Sequence, residues 1–379
     1  VGSEMCIRDR SKSTIYMSQG KYVMSEESGL GVIVRKNVKA IKGGYSQFSE
    51  GTDVSARDID TYVTVISGDV NGNKQADAGD CGLLLVKKGH ITIEGVTFQY
   101  GYVSEADAST TECGSGIYVS GGAGDTSIEL TDCVIRDCTS GVTTSAKQGG
   151  PAVFVLSGQV RLNNVNLLDN TAVGRGGAVR CNSKTAVVFM NGCLLKGNSH
   201  NGSWGNGIQM SEGHICINNT TLIDNMGTGA ALNGGGSILL TNNTIIGNTS
   251  DSHGAVRCET GVGGDTKFIN NLLLSENPSA PSFNLNGSNF EAFSKGYNVY
   301  QRVTGITMSA SDTAYPNPVN GTLDEKGVYV WDLNQIGSVK GYATKQAVIE
   351  VAKSFNPVAS PIACLLYTSP SPRDRTRSR

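Results

Sequence analysis

The chain has 379 residues, and its 33 acidic and 31 basic side chains give a formal net charge of −2. This balance argues against nucleic-acid binding, which needs a basic surface, and no apolar run approaches the length of a membrane span. Glycine is abundant at 49 residues, and short runs rich in valine, isoleucine and leucine lie between glycine and asparagine residues. This pattern favours many short strands over helices or disorder.

The two ends differ in composition from the body of the chain. Residues 1–10 read VGSEMCIRDR, and residues 364–379 read CLLYTSPSPRDRTRSR. Both resemble translated adapters of the kind used to prepare sequencing libraries, so we expect neither segment to be native. On this interpretation the native segment is 11–363, cut at both ends from a longer gene.

The first strongly polar stretch of the body is DVNGNKQADAGD, residues 69–80. Oxygen-bearing side chains recur along it, and they are the donors that a hard cation such as calcium prefers. The stretch resembles the calcium loop of EF-hand and dockerin proteins. However, Lys74 stands where the sharp-turn glycine belongs, and the residues that follow predict strands instead of a helix. The favoured interpretation is a simple polar turn, with a calcium-binding turn as the alternative. The candidate ligands are Asp69, Asn71, Asn73, Asp77 and Asp80.

A six-residue motif, called the phrase below, then recurs along the chain. Each copy predicts a short apolar strand that ends in a turn. The copies are VTFQYG (96–101), CVIRDC (133–138), VNLLDN (165–170), CLLKGN (193–198), TTLIDN (220–225), NTIIGN (243–248) and LLLSEN (272–277). A second short strand lies between copies, and it reads AVRC both at 178–181 and at 255–258. Steps of 23 to 37 residues with two or three strands predict coils of a parallel β-helix, and not a helical solenoid or a propeller.

In such a fold each position of one coil stacks on the equivalent position of the next coil. Identical side chains are therefore expected to recur at the stacked positions. One predicted column ends the phrases and comprises Asn170, Asn198, Asn225, Asn248 and Asn277. A second column precedes them and comprises Gly95, Asp132, Asn164, Gly192, Asn219, Asn242 and Asn271. Asparagine tolerates left-handed turns and forms hydrogen-bonded ladders. The predicted fold is all-β, a right-handed parallel β-helix of roughly 8–10 coils.

The predicted organisation has three native parts. N-terminal coils occupy 11–68, the repeats occupy 69–303, and a C-terminal cap occupies 304–363. The cap is expected to contain a short helix at 344–355 and to be incomplete.

The phrases resemble repeats of polymorphic outer-membrane and adhesin-like proteins, within the pectate-lyase-like β-helix superfamily. The stretch 21–69 resembles the first coils of a bacterial surface β-helix group, with a Gly-Gly-Tyr turn at 43–45, Arg-Asp at 57–58 and Ser-Gly-Asp at 67–69. The resemblance covers about 14–303 and implies an extracellular or cell-surface location. It implies no single activity, because the superfamily includes lyases, hydrolases, adhesins and stalks.

Catalytic motifs are sparse. The Asn-Thr-Asp, Asp-Asp and Gly-His-Gly motifs of polygalacturonases do not occur. Arg180 and Arg257 in the AVRC strands match the type of an arginine base of a lyase, but the favoured interpretation makes them solvent-facing residues beside inward Val179 and Cys181. Asp137 and Asp169 precede the phrase end in adjacent coils, where they could share a proton or a cation. They are the only catalytic candidates, and the favoured interpretation is that each is a turn residue that bonds only its own backbone.

Binding is expected on the long turns at one edge of the stack, of which 102–115 and 139–150 are the longest. Tyr100, Tyr102 and Trp204 are the candidate sugar-stacking residues. Among the cysteines, only Cys81 and Cys113 fall at positions where a disulfide is geometrically possible.

The preferred hypothesis is an adhesin-like, secreted or cell-surface monomer that binds polysaccharides or the surface of a partner. Calcium is its only expected cofactor, and neither nucleic acid nor a membrane span is expected. The alternatives are a polysaccharide lyase or glycoside hydrolase and, second, a structural stalk.

Overall fold

A computed structural model describes residues 13–24, 32–34, 38–48, 53–110, 115–122, 124–143, 148–202, 204–248, 253–259, 265–275, 280–286, 294–304, 309–314, 321–323, 329–331 and 343–355. Within these ranges strands dominate, and two short helices occur. No helix in the described part of the chain is long and apolar enough to cross a membrane.

The elements follow in chain order. The strands up to the first long turn are β1 Ser13–Ser18, β2 Gly20–Val23, β3 Val32–Val34, β4 Val38–Tyr45, β5 Thr64–Ser67, β6 Leu84–Val86, β7 Gly89–Glu94, β8 Thr97–Gln99 and β9 Tyr102–Val103. Helix α1 is Glu105–Thr110, inside that turn. The next strands are β10 Ile117–Ser120, β11 Thr126–Thr131, β12 Val134–Arg136, β13 Thr139–Ser140, β14 Val153–Asn163, β15 Asn166–Leu168, β16 Thr171–Ala172, β17 Val179–Asn191, β18 Leu194–Lys196 and β19 Ser199–His200.

The remaining elements complete the stack. They are β20 Ile208–Asn218, β21 Thr221–Ile223, β22 Leu232–Gly234, β23 Ser237–Thr241, β24 Thr244–Asn248, β25 Val256–Glu259, β26 Thr266–Ile269, β27 Leu272–Ser275, β28 Phe283–Asn286, β29 Val299–Tyr300, β30 Val303–Thr304, β31 Thr313–Ala314, β32 Gly321–Leu323, β33 Tyr329–Trp331 and helix α2 Lys345–Lys353.

Three parallel sheets form the sides of one continuous stack. The first has 16 strands and follows β1-β4-β7-β11-β14-β17-β20 and onward, the second has 11 strands from β2 to β31, and the third comprises β9, β13, β16 and β19. Within these three sheets neighbouring strands pair in parallel from one coil to the next, as β12 does with β15 and β15 with β18, whereas β32 and β33 form a separate antiparallel pair. This is a parallel β-helix, as predicted. Its second sheet contains eleven described rungs against the expected 8–10 coils, because the outermost coils lack the repeated phrase.

Inward side chains stack into apolar columns that run along the axis of the stack. Phe98 pairs in register with Ile135, and Ile135 pairs with Leu167. All three are buried and belong to one core that extends through the coils. Alternation along a strand directs every second residue inward, so each coil contributes apolar surface that only its neighbours can cover.

The predicted asparagine column is a ladder of buried amides. The Nδ2 of Asn170 donates to the Oδ1 of Asn198 at 2.9 Å, Asn198 donates to Asn225 at 2.8 Å, and Asn225 donates to Asn248 at 2.7 Å. Each Oδ1 also accepts from the backbone N–H of the preceding asparagine. The ladder therefore satisfies polar groups that would otherwise be buried without partners. Asn277, its last predicted member, lies outside the described residues.

The column before the phrases adopts left-handed backbone, as predicted, except at its last member. Asn219 and Asn242 have φ of 49° and 60°, and the next residue in this conformation is Asn270, with φ of 59°. The prediction of Asn271 was wrong by one residue, because Leu272 pairs in register with Thr244. Asn271 instead accepts from the Nδ2 of Asn243 at 3.0 Å in a second buried ladder.

Seven described cysteines are buried. Burial raises the pKa of the Cys133 thiol to about 12, so this cysteine packs as a small hydrophobic residue. Cys113 lies outside the described residues, so its disulfide with Cys81 stays a prediction.

Helix α2 lies along the side of the stack. Its Val348 and Ala352 pack in one apolar cluster with Phe189, Cys216 and Leu239 on the outer face of the first sheet. Thr344 caps the helix by accepting from the backbone N–H three residues later at 3.2 Å. The sequence placed a helix here correctly, and closure of the stack by 304–363 stays a prediction.

Candidate ligand-binding site

One corner of the coils is built from left-handed residues that follow the second-sheet strands. Tyr100, Asp137 and Asp169 occupy this position in successive coils, with φ of 56°, 53° and 53°. Gly197 and Asp224 follow them in the same column, with φ of 67° and 55°. Stacking at the strand spacing of about 4.8 Å brings neighbouring side chains of this corner column together.

Gly197 explains where the carboxylates of this column can lie. A Cβ atom placed on Gly197 would overlap the Oδ1 of Asp169. The carboxylate of Asp169 therefore occupies the space that a side chain would take in the next coil. The absence of a side chain at Gly197 thus makes room for the carboxylate of Asp169.

A surface pocket of about 290 Å³ opens at this corner. The residues that line it are Lys74, Gln75, Ala76, Tyr100, Asp137, Thr139 and Asp169. Features that the sequence suggested separately, namely the polar loop, one aromatic residue and the acidic pair, thus meet in one place. Lys74 and Thr139 were not among the predicted site residues, because nothing in the chain order indicates that the loop folds back over this corner.

The pocket carries charges of both signs. Burial raises the pKa of Asp137, the nearby Arg136 opposes this shift, and the carboxylate of Asp169 adds to it. The Nε of Arg136 lies 3.6 Å from the Oδ2 of Asp137, and its Nη2 donates to the Oε1 of Gln99 at 2.9 Å. Two neighbouring carboxylates beside a hydroxyl group and an ammonium group can accept and donate hydrogen bonds over a short distance.

The polar loop 69–80 is held by its own hydrogen bonds. The buried carboxylate of Asp69 pairs with the Nζ of Lys21 at 2.8 Å, and this hydrogen bond is the main reason why the pKa of Asp69 is lowered. The Nδ2 atoms of Asn71 and Asn73 donate to the two carboxylate oxygens of Asp77, at 3.0 and 2.6 Å.

The rest of the loop completes this network. Asp80 accepts from the backbone N–H groups of Val70 and Asp77, at 2.9 and 3.1 Å. Lys74 adopts φ of 63°, the conformation for which the resemblance called for glycine. No three acidic, histidine or cysteine side chains of the described residues form a metal-binding group. This arrangement fits a hydrogen-bonded polar turn better than a calcium shell, and calcium binding stays a prediction.

The three predicted aromatic residues occupy different places. Tyr100 lines the pocket. Tyr102 pairs in register with Thr139, and its hydroxyl group lies against Gly141, where a Cβ atom would approach it to 2.7 Å. Trp204 lies on another edge, on the long turn that leads back to the first sheet, and the guanidinium carbons of Arg175 and Arg257 lie 5.7 and 5.6 Å from its ring centroid.

The prediction for Arg180 was half correct. Val179 and Cys181 point into the core as expected, but Arg180 is only 7% exposed and not solvent-facing. The turn around Gln148 covers it, since the Nη1 of Arg180 donates to the Gln148 carbonyl. Alternation along the strand indicates which residues point outward, but it cannot show that a turn of a neighbouring coil covers them.

Comparison with known proteins identifies the fold of the chain. Residues 61–273 match the family model of a right handed beta helix region. No curated protein and no solved structure shows significant similarity to the chain. Because the matched region covers more than half of the chain and coincides with the stacked coils, the protein belongs to the right-handed β-helix family.

Proposed function

We propose that this protein is an extracellular or cell-surface β-helix, adhesin-like in character, that binds glycans through the pocket at the corner column. The pocket itself carries this proposal, since it gathers Tyr100, Thr139, Asp137 and Asp169 on consecutive coils beside Lys74. Concave sites with a few fixed polar groups are the usual setting for small ligands.

The chemistry of the lining favours a sugar. The ring of Tyr100 offers an apolar face with a polar tip, which suits the alternating C–H and hydroxyl surfaces of a pyranose. The carboxylates of Asp137 and Asp169 accept hydrogen bonds from neighbouring hydroxyl groups. Because the hydrogen-bonded coils fix the corner, these groups keep their positions before the ligand arrives, which reduces the ordering cost of binding.

A hydrolase or lyase is the second candidate, and Asp137 favours it. Its pKa is raised by burial and by the neighbouring Asp169. A protonated carboxyl group beside an ionised one is the arrangement with which many glycosidases cleave a glycosidic bond. The same pocket would then bind and cut the glycan.

A panel of neutral and acidic polysaccharides tests the proposal. The full chain is passed over each immobilised polymer with and without calcium, and both retention and new reducing ends are measured. We expect retention without cleavage, and we expect Asp169→Asn and Tyr100→Asn to weaken it about tenfold, a loss of roughly 1.4 kcal/mol. Asparagine suits both positions because it tolerates positive φ.

Asp224→Asn is the matched control. Asp224 has the same left-handed conformation in the same column, with φ of 55°, but it does not line the pocket. Equal losses for Asp169→Asn and Asp224→Asn, or no retained polymer, would contradict the binding proposal. New reducing ends that disappear in Asp137→Asn would establish the enzyme instead.

A further inference from the structure

Four asparagine–glycine pairs lie wholly within the described residues, and they differ in their surroundings. They are Asn71–Gly72, Asn191–Gly192, Asn201–Gly202 and Asn233–Gly234. In such a pair the backbone nitrogen of the glycine can attack the side-chain amide of the asparagine, because no side chain shields that nitrogen and glycine adopts many backbone conformations. The surroundings of each pair therefore decide whether it is able to react.

Three of the pairs are held back by the coils. Asn191 and Asn233 lie on strands of the first sheet and are 7% and 0% exposed, so their amides are shielded from the water that the reaction consumes. Asn201 is exposed, but the backbone N–H of Gly202 donates to the Gly174 carbonyl of the preceding coil at 3.2 Å. A nitrogen that is bonded to a neighbouring coil is not free to turn toward its own asparagine.

Asn71 lies instead in the exposed polar loop and is folded over its own backbone. Its Oδ1 accepts from the backbone N–H of Asn73 at 3.0 Å, a turn that brings the side-chain amide over the peptide group of Gly72. Gly72 is exposed and has φ of 79°, and a Cβ atom there would meet no other atom within 4 Å. Its backbone N–H faces the carboxylate of Asp69, a group that can accept the proton that the nitrogen must lose.

Asn73 makes the same contacts as Asn71 but has a different neighbour. Its Oδ1 accepts from the backbone N–H of Gln75 at 2.9 Å, and its Nδ2 donates to Asp77 at 2.6 Å. The Nδ2 of Asn71 donates to the other carboxylate oxygen of Asp77 at 3.0 Å. Lys74 follows Asn73 with φ of 63°, so a side chain flanks the nitrogen that would attack. The two asparagines thus form a matched pair within one loop.

We propose that Asn71 is a self-modifying site, at which deamidation converts the asparagine into aspartate or isoaspartate. The Gly72 nitrogen bonds to the Cγ of Asn71 and gives its proton to Asp69. The Cγ–Nδ2 bond breaks, and the Nδ2 takes up this proton and leaves as ammonia. Water then opens the resulting cyclic imide at either of its two carbonyl groups. Water is the only co-reactant, and no oxidant is needed.

The new carboxylate loosens the loop that forms one wall of the pocket. Asn71 donates to Asp77 before the reaction, whereas a carboxylate in the same place repels that of Asp77. Lys74 and Gln75, which line the pocket, lie between these two residues in the chain. Deamidation therefore weakens, with time, the hold of the loop on Lys74. Only the resulting change in glycan binding rests on the proposed function.

Ageing of the full chain tests the site without any glycan. The folded protein and the protein in denaturant are incubated side by side at neutral pH, and peptide mass spectrometry with isoaspartate labelling measures conversion at each asparagine. In the folded protein we expect Asn71 to convert at least about tenfold faster than Asn73 and Asn201. In denaturant Asn71 and Asn201 should convert at similar rates, because only the fold distinguishes them.

Gly72→Ala should slow the conversion of Asn71 about tenfold, which corresponds to about 1.4 kcal/mol of barrier. Melting curves confirm that this variant folds. Equal rates at Asn71 and Asn201 in the folded wild type, or unchanged conversion in Gly72→Ala, would overturn the site. Conversion of Asn71 in denaturant but not in the folded protein would overturn it as well.

Hydrogen exchange measures the effect on the loop. Asn71→Asp imitates the product, and Asn201→Asp adds the same charge at an exposed turn outside the loop. We expect the backbone amides of 73–77 to exchange about tenfold faster in Asn71→Asp than in the wild type and in Asn201→Asp. Equal exchange in all three proteins would overturn the loosening of the loop.

Retention of glycans distinguishes this proposal from the proposed function. Weaker retention by Asn71→Asp than by Asn201→Asp would support both. A wild type that retains no polymer contradicts the proposed function but leaves the conversion of Asn71 standing. Retention by a wild type in which Asn71 does not convert overturns the modification site alone.

Discussion

The corner pocket and the strand face around Arg180 belong to the same stack but are built differently. At the corner, single left-handed residues project short side chains, and Asp169 lies over the glycine of the next coil. Around Arg180, the turn at Gln148 covers the strand face and buries a long cationic side chain. The corner is open and carries both charges, whereas the face around Arg180 is covered and basic.

The difference shows where specificity can arise in a repetitive fold. The apolar columns and the asparagine ladders repeat because every coil needs them for its own hydrogen bonds and burial. The pocket and the covered face both lie where a column stops repeating, at the step from Asp169 to Gly197 and at the step from Phe154 to Arg180. A departure from the repeat changes the surface without changing the backbone that supports it.

The largest expected effect is a loss of the ladder on which the corner depends. Asn198→Leu removes an amide that donates to Asn225 and to the Leu167 carbonyl and that accepts from Asn170. Because buried partners are left unsatisfied, the free energy of unfolding should fall by about 3 kcal/mol. Denaturant unfolding measures this loss. The same substitution at exposed Asn201 should cost less than about 0.5 kcal/mol, and equal costs would contradict the ladder's role.

A smaller loss of stability should distinguish the cost of backbone strain from the cost of disturbing the pocket. Gly197→Ala and Gly192→Ala both place a side chain at φ near 66°, which costs roughly 1–2 kcal/mol at either position. Only Gly197 faces the carboxylate of Asp169; at Gly192 the nearest atom is 4.0 Å away. Gly197→Ala should therefore lose more stability and also weaken glycan retention. Identical melting temperatures and retention for the two variants would contradict the packing of Asp169.

The smallest effect should appear in the pH dependence of stability. Since the pKa of Asp137 is raised in the folded protein, its protonated form favours folding at low pH, and this contribution is lost as the pH rises through the raised pKa. The free energy of unfolding of the wild type, relative to Asp137→Asn, should therefore fall from acidic to neutral pH. Denaturant curves at several pH values measure the difference, and a rise with pH would contradict the burial of this carboxyl group.

The sequence predicted the core and ladder residues, whose places the repeat fixes. It missed the contacts that the long connections between strands make. Phe98, Ile135 and Leu167 follow from the phrase alone, and so does the ladder through Asn198. The covering of Arg180 by the turn at Gln148 depends on the path of a long connection, which carries no periodic signal. The one-residue error at Asn271 has a related cause, since a coil of different length shifts the register within the phrase.

The candidate pocket was predicted in pieces and not as a whole. Asp137 and Asp169 are adjacent because they hold the same place in neighbouring coils, which the sequence shows. Lys74 joins them only because the loop 69–80 folds beside Tyr100. The spacing of residues in the loop suggested a cation, whereas the ion pair between Asp69 and Lys21, 48 residues apart, could not be read from it.

One binding measurement tests the central claim that the corner pocket binds a glycan. Oligosaccharides of the polymer that the wild type retains are titrated into the wild type, Tyr100→Asn and Asp224→Asn at one protein concentration. We predict that Tyr100→Asn loses affinity about tenfold and that Asp224→Asn binds as the wild type does, because only Tyr100 lines the pocket. Equal loss in the two variants, or no binding to the wild type, would contradict the claim.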